Sequence, residues 1–468
     1  MIFASLIFLY LFLPLNLIIY FFSRSTGAKN TALLVFSLVF YAWGRPAWML
    51  LLVFTAWCDW RNARRVEKYR GTWKAKAAFA ASLVFDIGVF VLFKYTGFFA
   101  ENINFLFKSA LPVPDFELPI GISFYTFQTL TYVIDVYRGD CKAQPRFSSY
   151  LLYLSMYFQL VAGPIVRYSD VQKEIGVRSH SVSAAYAGMQ RFICGLAKKV
   201  VLADTASVLV KKYMEADPAS LPILAAWLGS FMYIIQLYFD FSGYSDMAIG
   251  LGKMFGFRFP ENFNYPYISK SVSEFWRRWH MTLGGFFRDY VYIPLGGNRK
   301  HVFFNLFVVW FLTGFWHGAS WNFILWGLYN GFFIALERLF KTPFEKIPAF
   351  IRHIYLILVA DIGFVFFYFK DIRRAFSYLG AMFDGKILMD TDFSVTFMNH
   401  IFFIVLAVLL CAPVSQGLKR LAERLERRSA FMTFTVSVIR GCCLLAILAV
   451  CTAMLAGNSY SPFLYFQF

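Results

Sequence analysis

The 468 residues are 59% hydrophobic and only 15% charged, with a mean hydropathy of +0.56. A water-soluble multidomain chain of this length carries nearer about 25% charged residues, so that class is excluded. The net charge of +18 lies in short segments between apolar runs, which excludes the continuous basic face that nucleic acid requires.

The apolar runs recur from end to end. A bilayer core about 30 Å thick takes roughly 20 apolar residues per crossing, and lipid permits only helices or a closed barrel. The runs are too long and too uniformly apolar for barrel strands, so the sequence predicts an all-α polytopic membrane protein. The first run, 2–22, has neither a basic n-region nor a small-residue cleavage site. It is predicted as a retained first helix bent at Pro14. Two shorter crossings, 31–43 and 46–60, flank a turn at "GRP" (44–46). The following segment, 61–76, carries seven Lys/Arg and one Glu, which places it in the cytoplasm by the positive-inside rule. Counting back, "RSTGAK" (24–29) is cytoplasmic too and the N-terminus lies outside.

Further runs follow at 77–93, 120–136, 148–162, 188–210, 222–240, 302–316, 319–337, 354–369, 400–415 and 434–456. With some of them re-entrant or interfacial, roughly 11 to 13 helices are expected. The stretch 178–200 mixes polar and apolar residues at helical spacing and suits the interface. The basic segments 370–374 and 419–428 read as topology signals and headgroup contacts. Seven cysteines without a CxxC read as buried reduced thiols. No internal repeat is visible. The expected organisation is one integral-membrane domain over 1–468: N-terminal helices over 1–110, a core over 118–337 and C-terminal helices over 338–468.

Residues 240–300 are too polar to face lipid and hold twelve ionisable side chains between Asp240 and Asp289. Charges at membrane depth usually line a cavity or pair with one another. In "EFWRRWH" (274–280), a continuous helix would pair Glu274 with Arg278 and put Trp276 and Arg277 on the face of His280. That face could grip an anionic, partly flat ligand. Its tryptophans and arginines equally suit an interfacial aromatic belt. "PLGGN" (294–298) could cradle a phosphate or oxyanion with its backbone N–H groups, or simply turn. "DFSGYSD" (240–246) offers no GxSxG elbow, and no zinc-ligand spacing occurs.

From Val302 to Leu336 there is no Asp, Glu, Lys or Arg; His317 stands inside that run. A continuous helix of that length would run about 52 Å, far more than a bilayer core, so the run must break, turn or tilt. Gly314, Gly318, Ala319 and Ser320 make the surroundings of His317 the natural break. An intramembrane imidazole at a break is a candidate site, suited to moving a proton near neutral pH.

Six stretches together carry a resemblance: 118–140, 160–170, 236–252, 261–298, 314–327 and the terminal "SPFLYFQF" (461–468). The chain resembles the membrane-bound O-acyltransferase family, most of all its bacterial branch that O-acetylates alginate, peptidoglycan and other cell-envelope polymers. The resemblance implies a ring of tilted helices around a thin centre crossed by a tunnel. The family's hallmark histidine falls on His317 and its supporting histidine on His280. It implies an acyltransferase in the bacterial inner membrane with no permanently bound cofactor. The acyl donor is acetyl-CoA, taken from the cytoplasm. Delivery is to an exopolysaccharide through an outer-face or periplasmic SGNH-type partner. In that frame Trp276, Arg277, Arg288 and Asp289 line the path, the arginines attracting donor phosphates. His317 serves as general base or transient acyl carrier. His280, with Asn298 or Asn322, orients the acceptor or stabilises an oxyanion. The rival readings are a transporter or flippase of a lipid-linked sugar, and D-alanyl transfer to teichoic acid.

Overall fold

In the computed structural model, which describes residues 1–161, 163–384 and 387–457, every regular element is a helix. The terminal motif 461–468 lies outside the described residues. The bend expected at Pro14 takes the form of a π-helical stretch, Phe8–Phe12, running into α1 (Leu13–Phe22) with Pro14 in its first turn. Proline lacks an N–H and crowds the carbonyl four residues back, so the ladder widens just before it. Helices α2 (Thr26–Ala42) and α3 (Pro46–Lys68) flank the predicted turn, with Pro46 at the start of α3. Its fixed φ and missing donor suit that position. α3 continues past the expected end at residue 60, and Arg65 and Lys68 lie in its last turn, where cations meet the negative end of the helix dipole.

α4 (Trp73–Phe107) is a single helix of 35 residues, twice the length of the apolar run that announced it. α5 (Ile122–Arg138) opens at Gly121 and closes at Gly139, both with positive φ. A Cβ at Gly121 would overlap the Leu160 carbonyl, so only glycine fits there. The run 148–162 is interrupted: α6 (Phe147–Ser155) ends at Met156, and a single turn, Tyr157–Leu160, follows. α7 (Val182–Ala197) passes through a π-helical stretch, Lys198–Ala203, into α8 (Asp204–Met214).

α9 (Ile223–Met254) absorbs the first part of the polar middle without a break. Its carboxylates are tolerated because they are paired. Lys199 Nζ lies 2.7 Å from Asp240, with both side chains 3% exposed, and Arg191 lies 2.9 Å from Asp246. This is the pairing that burial of charge demands.

The remainder comprises two short helices, α10 (Val272–Arg278) and α11 (Met281–Phe287), followed by α12 (Val302–His317), α13 (Trp321–Leu339), α14 (Ala349–Tyr368), α15 (Ile372–Phe383), α16 (Thr391–Leu410), α17 (Val414–Glu426) and α18 (Ala430–Gly457). Two compact units result. One holds Met1–Phe192 and Tyr244–Glu261; the other holds Ile193–Gly243 and the described residues from Asn262 onward. Among the described residues, α4, α9, α14, α16 and α18 are long and apolar enough to cross a bilayer; Phe8–Phe22 and α12 are shorter apolar helices. In α9, 78% of the apolar window is buried, against 11% in α18, so α9 is an inner helix and α18 offers its side chains to lipid. Cys141, Cys411 and Cys451 are buried as expected, whereas Cys58 is half-buried and Cys194, Cys442 and Cys443 are exposed. Helix faces turned to lipid bury nothing against protein, however apolar they are.

Candidate functional site

The uncharged run breaks where its small residues cluster. α12 ends at His317, Gly318 is extended (φ −167°, ψ 154°), and α13 begins at Trp321. The hairpin is held together at glycines. A Cβ at Gly314 would overlap the Phe323 carbonyl, and one at Gly327 would overlap the Trp310 carbonyl, so the two backbones touch without intervening side chains. His317 is buried at this turn. Its ring meets Trp316 (centroids 4.8 Å), Trp326 (4.9 Å, 87°) and Phe367 (5.2 Å, 79°). The imidazole therefore sits in an apolar aromatic shell from which bulk water is largely excluded.

His280 is reached differently from the expected helix face. The Glu274–Arg278 pair forms (3.0 Å), but α10 stops at Arg278. Trp279 is extended and His280 has φ +45°, a region that L-residues seldom occupy. The turn is clamped by two backbone bonds: Asn264 N–H donates to Arg278 O, and Met281 N–H donates to Asn262 O, each 2.9 Å. The expectation that Trp276 and Arg277 share a helix face with His280 is thereby corrected.

Asn262 then fixes the imidazole. Its Oδ1 accepts from the Thr282 backbone N–H (3.3 Å) and the Thr282 hydroxyl (2.8 Å), and it faces His280 Nδ1 at 3.1 Å. A backbone N–H can only donate, so that atom of Asn262 is the carbonyl oxygen. His280 Nδ1 must then carry the proton, which leaves Nε2 as the basic nitrogen. Burial pushes the His280 imidazole down to about 3, so the ring stays neutral across the physiological range. Its ring meets Phe241 edge-on at 4.8 Å and Trp316 at 6.3 Å. Trp316 thus touches both histidines.

Trp276 joins this shell from α10. Its indole packs on Trp310 (5.0 Å) and Trp326 (5.4 Å), and its N–H donates to Asn330 Oδ1 at 3.0 Å. The other expected lining residues have partners of their own or face outward. Arg277 is exposed. Arg288 is exposed and forked onto Asp289 (2.6 and 3.0 Å). Asn298 is exposed, its Oδ1 accepting from Tyr292 and Arg338. Asn322 is buried, its amide donating to the Phe369 carbonyl. The "PLGGN" loop forms a turn: the N–H groups of Leu295, Gly296 and Gly297 donate to backbone carbonyls rather than converging on a ligand.

Two supports had no sequence signal. Asn262 is one asparagine among several in the polar middle. Glu337, near the end of α13, accepts from the N–H groups of Val272 (2.5 Å) and Ser273 (2.9 Å) and from the Ser273 hydroxyl (2.7 Å). A carboxylate on the N-terminus of α10 satisfies its free donors and its positive dipole end. This anchors the "WRRWH" segment to the hairpin that carries His317.

A family model described as membrane-bound O-acyltransferase matches residues 141–380, which include both histidines. The chain belongs to the membrane-bound O-acyltransferase family. It is an acyltransferase of a multi-pass membrane fold. Over its whole length, and the whole length of that relative, it is 36% identical to the probable alginate O-acetylase AlgI of Azotobacter vinelandii. It is 41% identical to the probable alginate O-acetylase AlgI of Pseudomonas aeruginosa, over 82% of this chain and 75% of that one. It is 33% identical to the peptidoglycan O-acetyltransferase of Helicobacter pylori, over 82% of this chain and 80% of that one.

Proposed function

We propose that this acyltransferase takes an acetyl group from acetyl-CoA in the cytoplasm and passes it across the bacterial inner membrane. The final acceptor is an extracytoplasmic cell-envelope polysaccharide such as alginate or peptidoglycan. The observation that carries the proposal is the pair of buried imidazoles meeting one indole, Trp316, in a chain whose relatives over most or all of its length are named as O-acetylases of such polymers.

His317 is the general base. It takes the proton of the incoming hydroxyl as the oxygen attacks the thioester carbonyl, and returns it to the leaving thiolate. A positioned base is worth roughly 10²–10⁴-fold in rate. His280 stays neutral and presents Nε2 while Asn262 holds Nδ1–H, so it orients the acceptor by accepting its hydrogen bond. The aromatic shell keeps water from hydrolysing the thioester. The exposed Arg277, and Arg288 with its Asp289 partner, draw the polyanionic donor to the surface. An outer-face SGNH-type acyltransferase completes delivery to the polymer.

The test is deletion of the gene followed by assay of ester-linked acetate on each surface polymer. One polymer loses its acetyl esters; wild type restores them, and His317→Ala, expressed to the same level, does not. Restoration by His317→Ala would remove the catalytic role. Loss of D-alanyl esters instead would assign the chain to teichoic acid chemistry.

A further inference from the structure

α10 (Val272–Arg278) has seven residues, too few to hold its own position, since helices below about 12–15 residues are marginal without tertiary partners. His280 stands two residues beyond its end, so whatever seats α10 places that imidazole. Two buried side chains of α13 do so. Glu337, 8% exposed, accepts from Val272 N–H (2.5 Å), Ser273 N–H (2.9 Å) and the Ser273 hydroxyl (2.7 Å). Asn330, 4% exposed, accepts from the Trp276 indole N–H at 3.0 Å, and its amide donates to the Trp326 carbonyl at 2.8 Å. An indole nitrogen can only donate, so the atom of Asn330 that meets it is the oxygen. The two clamps stand two turns apart on one face of α13. α13 is also packed on α12 through Gly314 and Gly327, and α12 ends at His317. One helix thus mounts both histidines. A buried carboxylate is a costly anchor where apolar contact alone could hold two helices together. What it adds is direction: charge-assisted bonds to a helix N-terminus fix the helix along its axis as well as sideways.

We propose that Glu337 and Asn330 are positioning residues for acyl transfer, which together set where the His280 imidazole stands relative to His317. The proposal rests on the reading of both histidines as the reacting site. Glu337 governs the height of α10 along α13. Asn330 governs its rotation, by holding the Trp276 indole against Trp310 and Trp326. Trp326 in turn meets the His317 ring at 4.9 Å. Both residues act through α10, not on the substrate.

The experiment is a double-mutant cycle in kcat. It uses the full chain reconstituted with the proposed outer-face acyltransferase and polymer, labelled acetyl-CoA as donor, and thermal melts to correct for folded protein. The expected result is that Glu337→Gln, which keeps the size of the side chain and loses its charge, lowers kcat by about 10-fold or more while KM for acetyl-CoA stays within about twofold. Asn330→Ala should behave alike. In a His280→Asn background either substitution should cost about threefold at most, because the imidazole it positions is gone. Equal costs in both backgrounds overturn the proposal and leave both histidines in place. So does a rise in KM with kcat unchanged. Wild-type activity of His280→Asn overturns the reading of the site and the proposal with it. If Glu337→Gln fails to fold, Asn330→Ala, which removes a single bond between α10 and α13, decides alone. If His280→Asn is inactive, the split between kcat and KM decides.

Discussion

Asn262 decides which nitrogen of His280 is basic, and nothing in its sequence context marks it out. Its oxygen is committed to the Thr282 N–H and hydroxyl and to His280 Nδ1. Asn262→Ala should therefore cost a buried hydrogen bond, about 1–3 kcal/mol, and lower kcat for acetyl transfer by about 5- to 150-fold with little change in KM. Asn262→Asp keeps an acceptor but places a negative charge beside the ring, which favours imidazolium. Steady-state assays should find most activity retained and the acid limb of the pH profile moved upward. A merely structural asparagine would leave that limb in place. Burial pushes the His280 imidazole down to about 3, so the ring is neutral between pH 5 and pH 9. A His280→Asn variant with residual activity should thus change the height of the pH–rate profile between pH 5 and 9 and not its shape. A lost acid limb would show that His280 titrates in turnover. The two histidines were legible because ionisable side chains in apolar or aromatic surroundings demand an explanation. Asn262 was not, because a neutral amide costs little wherever it finds a partner.

At the scale of elements, the sequence located the break in the run 302–336 to within its small residues. The reason was physical: too many apolar residues for one crossing, and glycines at one place. The α12–α13 hairpin depends on those glycines. Val at Gly327 would force its side chain into the Trp310 carbonyl and push the helices apart, overpacking that typically costs about 1–3 kcal/mol or more. Thermal melts should show a clear loss of stability, and acetyl transfer should drop by more than the loss of folded protein explains, because His317 ends α12. Wild-type melting with full activity would contradict the close packing. Helix lengths were less legible. α4 extends well beyond its apolar run, and α9 carries Asp240 and Asp246 in a continuous helix because Lys199 and Arg191 pair with them. Those pairings are long-range and leave no local periodicity. α10 ends earlier than its sequence suggests for a similar reason: the backbone bonds to Asn262 and Asn264 override a segment whose propensity favours one more turn.

At the scale of the molecule, the composition alone announced a polytopic helical membrane protein, and every described element agrees with that. Function was legible only through the combination of the two histidine motifs. Hydropathy would equally have suited a transporter, and no local pattern names an acceptor polymer. What separates the acyltransferase account from a carrier of sugars is chemistry across the membrane. The most direct measurement places the purified chain, with the proposed outer-face acyltransferase and polymer enclosed, in sealed vesicles and supplies acetyl-labelled acetyl-CoA outside. The account predicts acetyl esters on the enclosed polymer, coenzyme A released only outside, and neither product from His317→Ala. Equal labelling by wild type and His317→Ala, or coenzyme A appearing inside with the acetyl group, would contradict it.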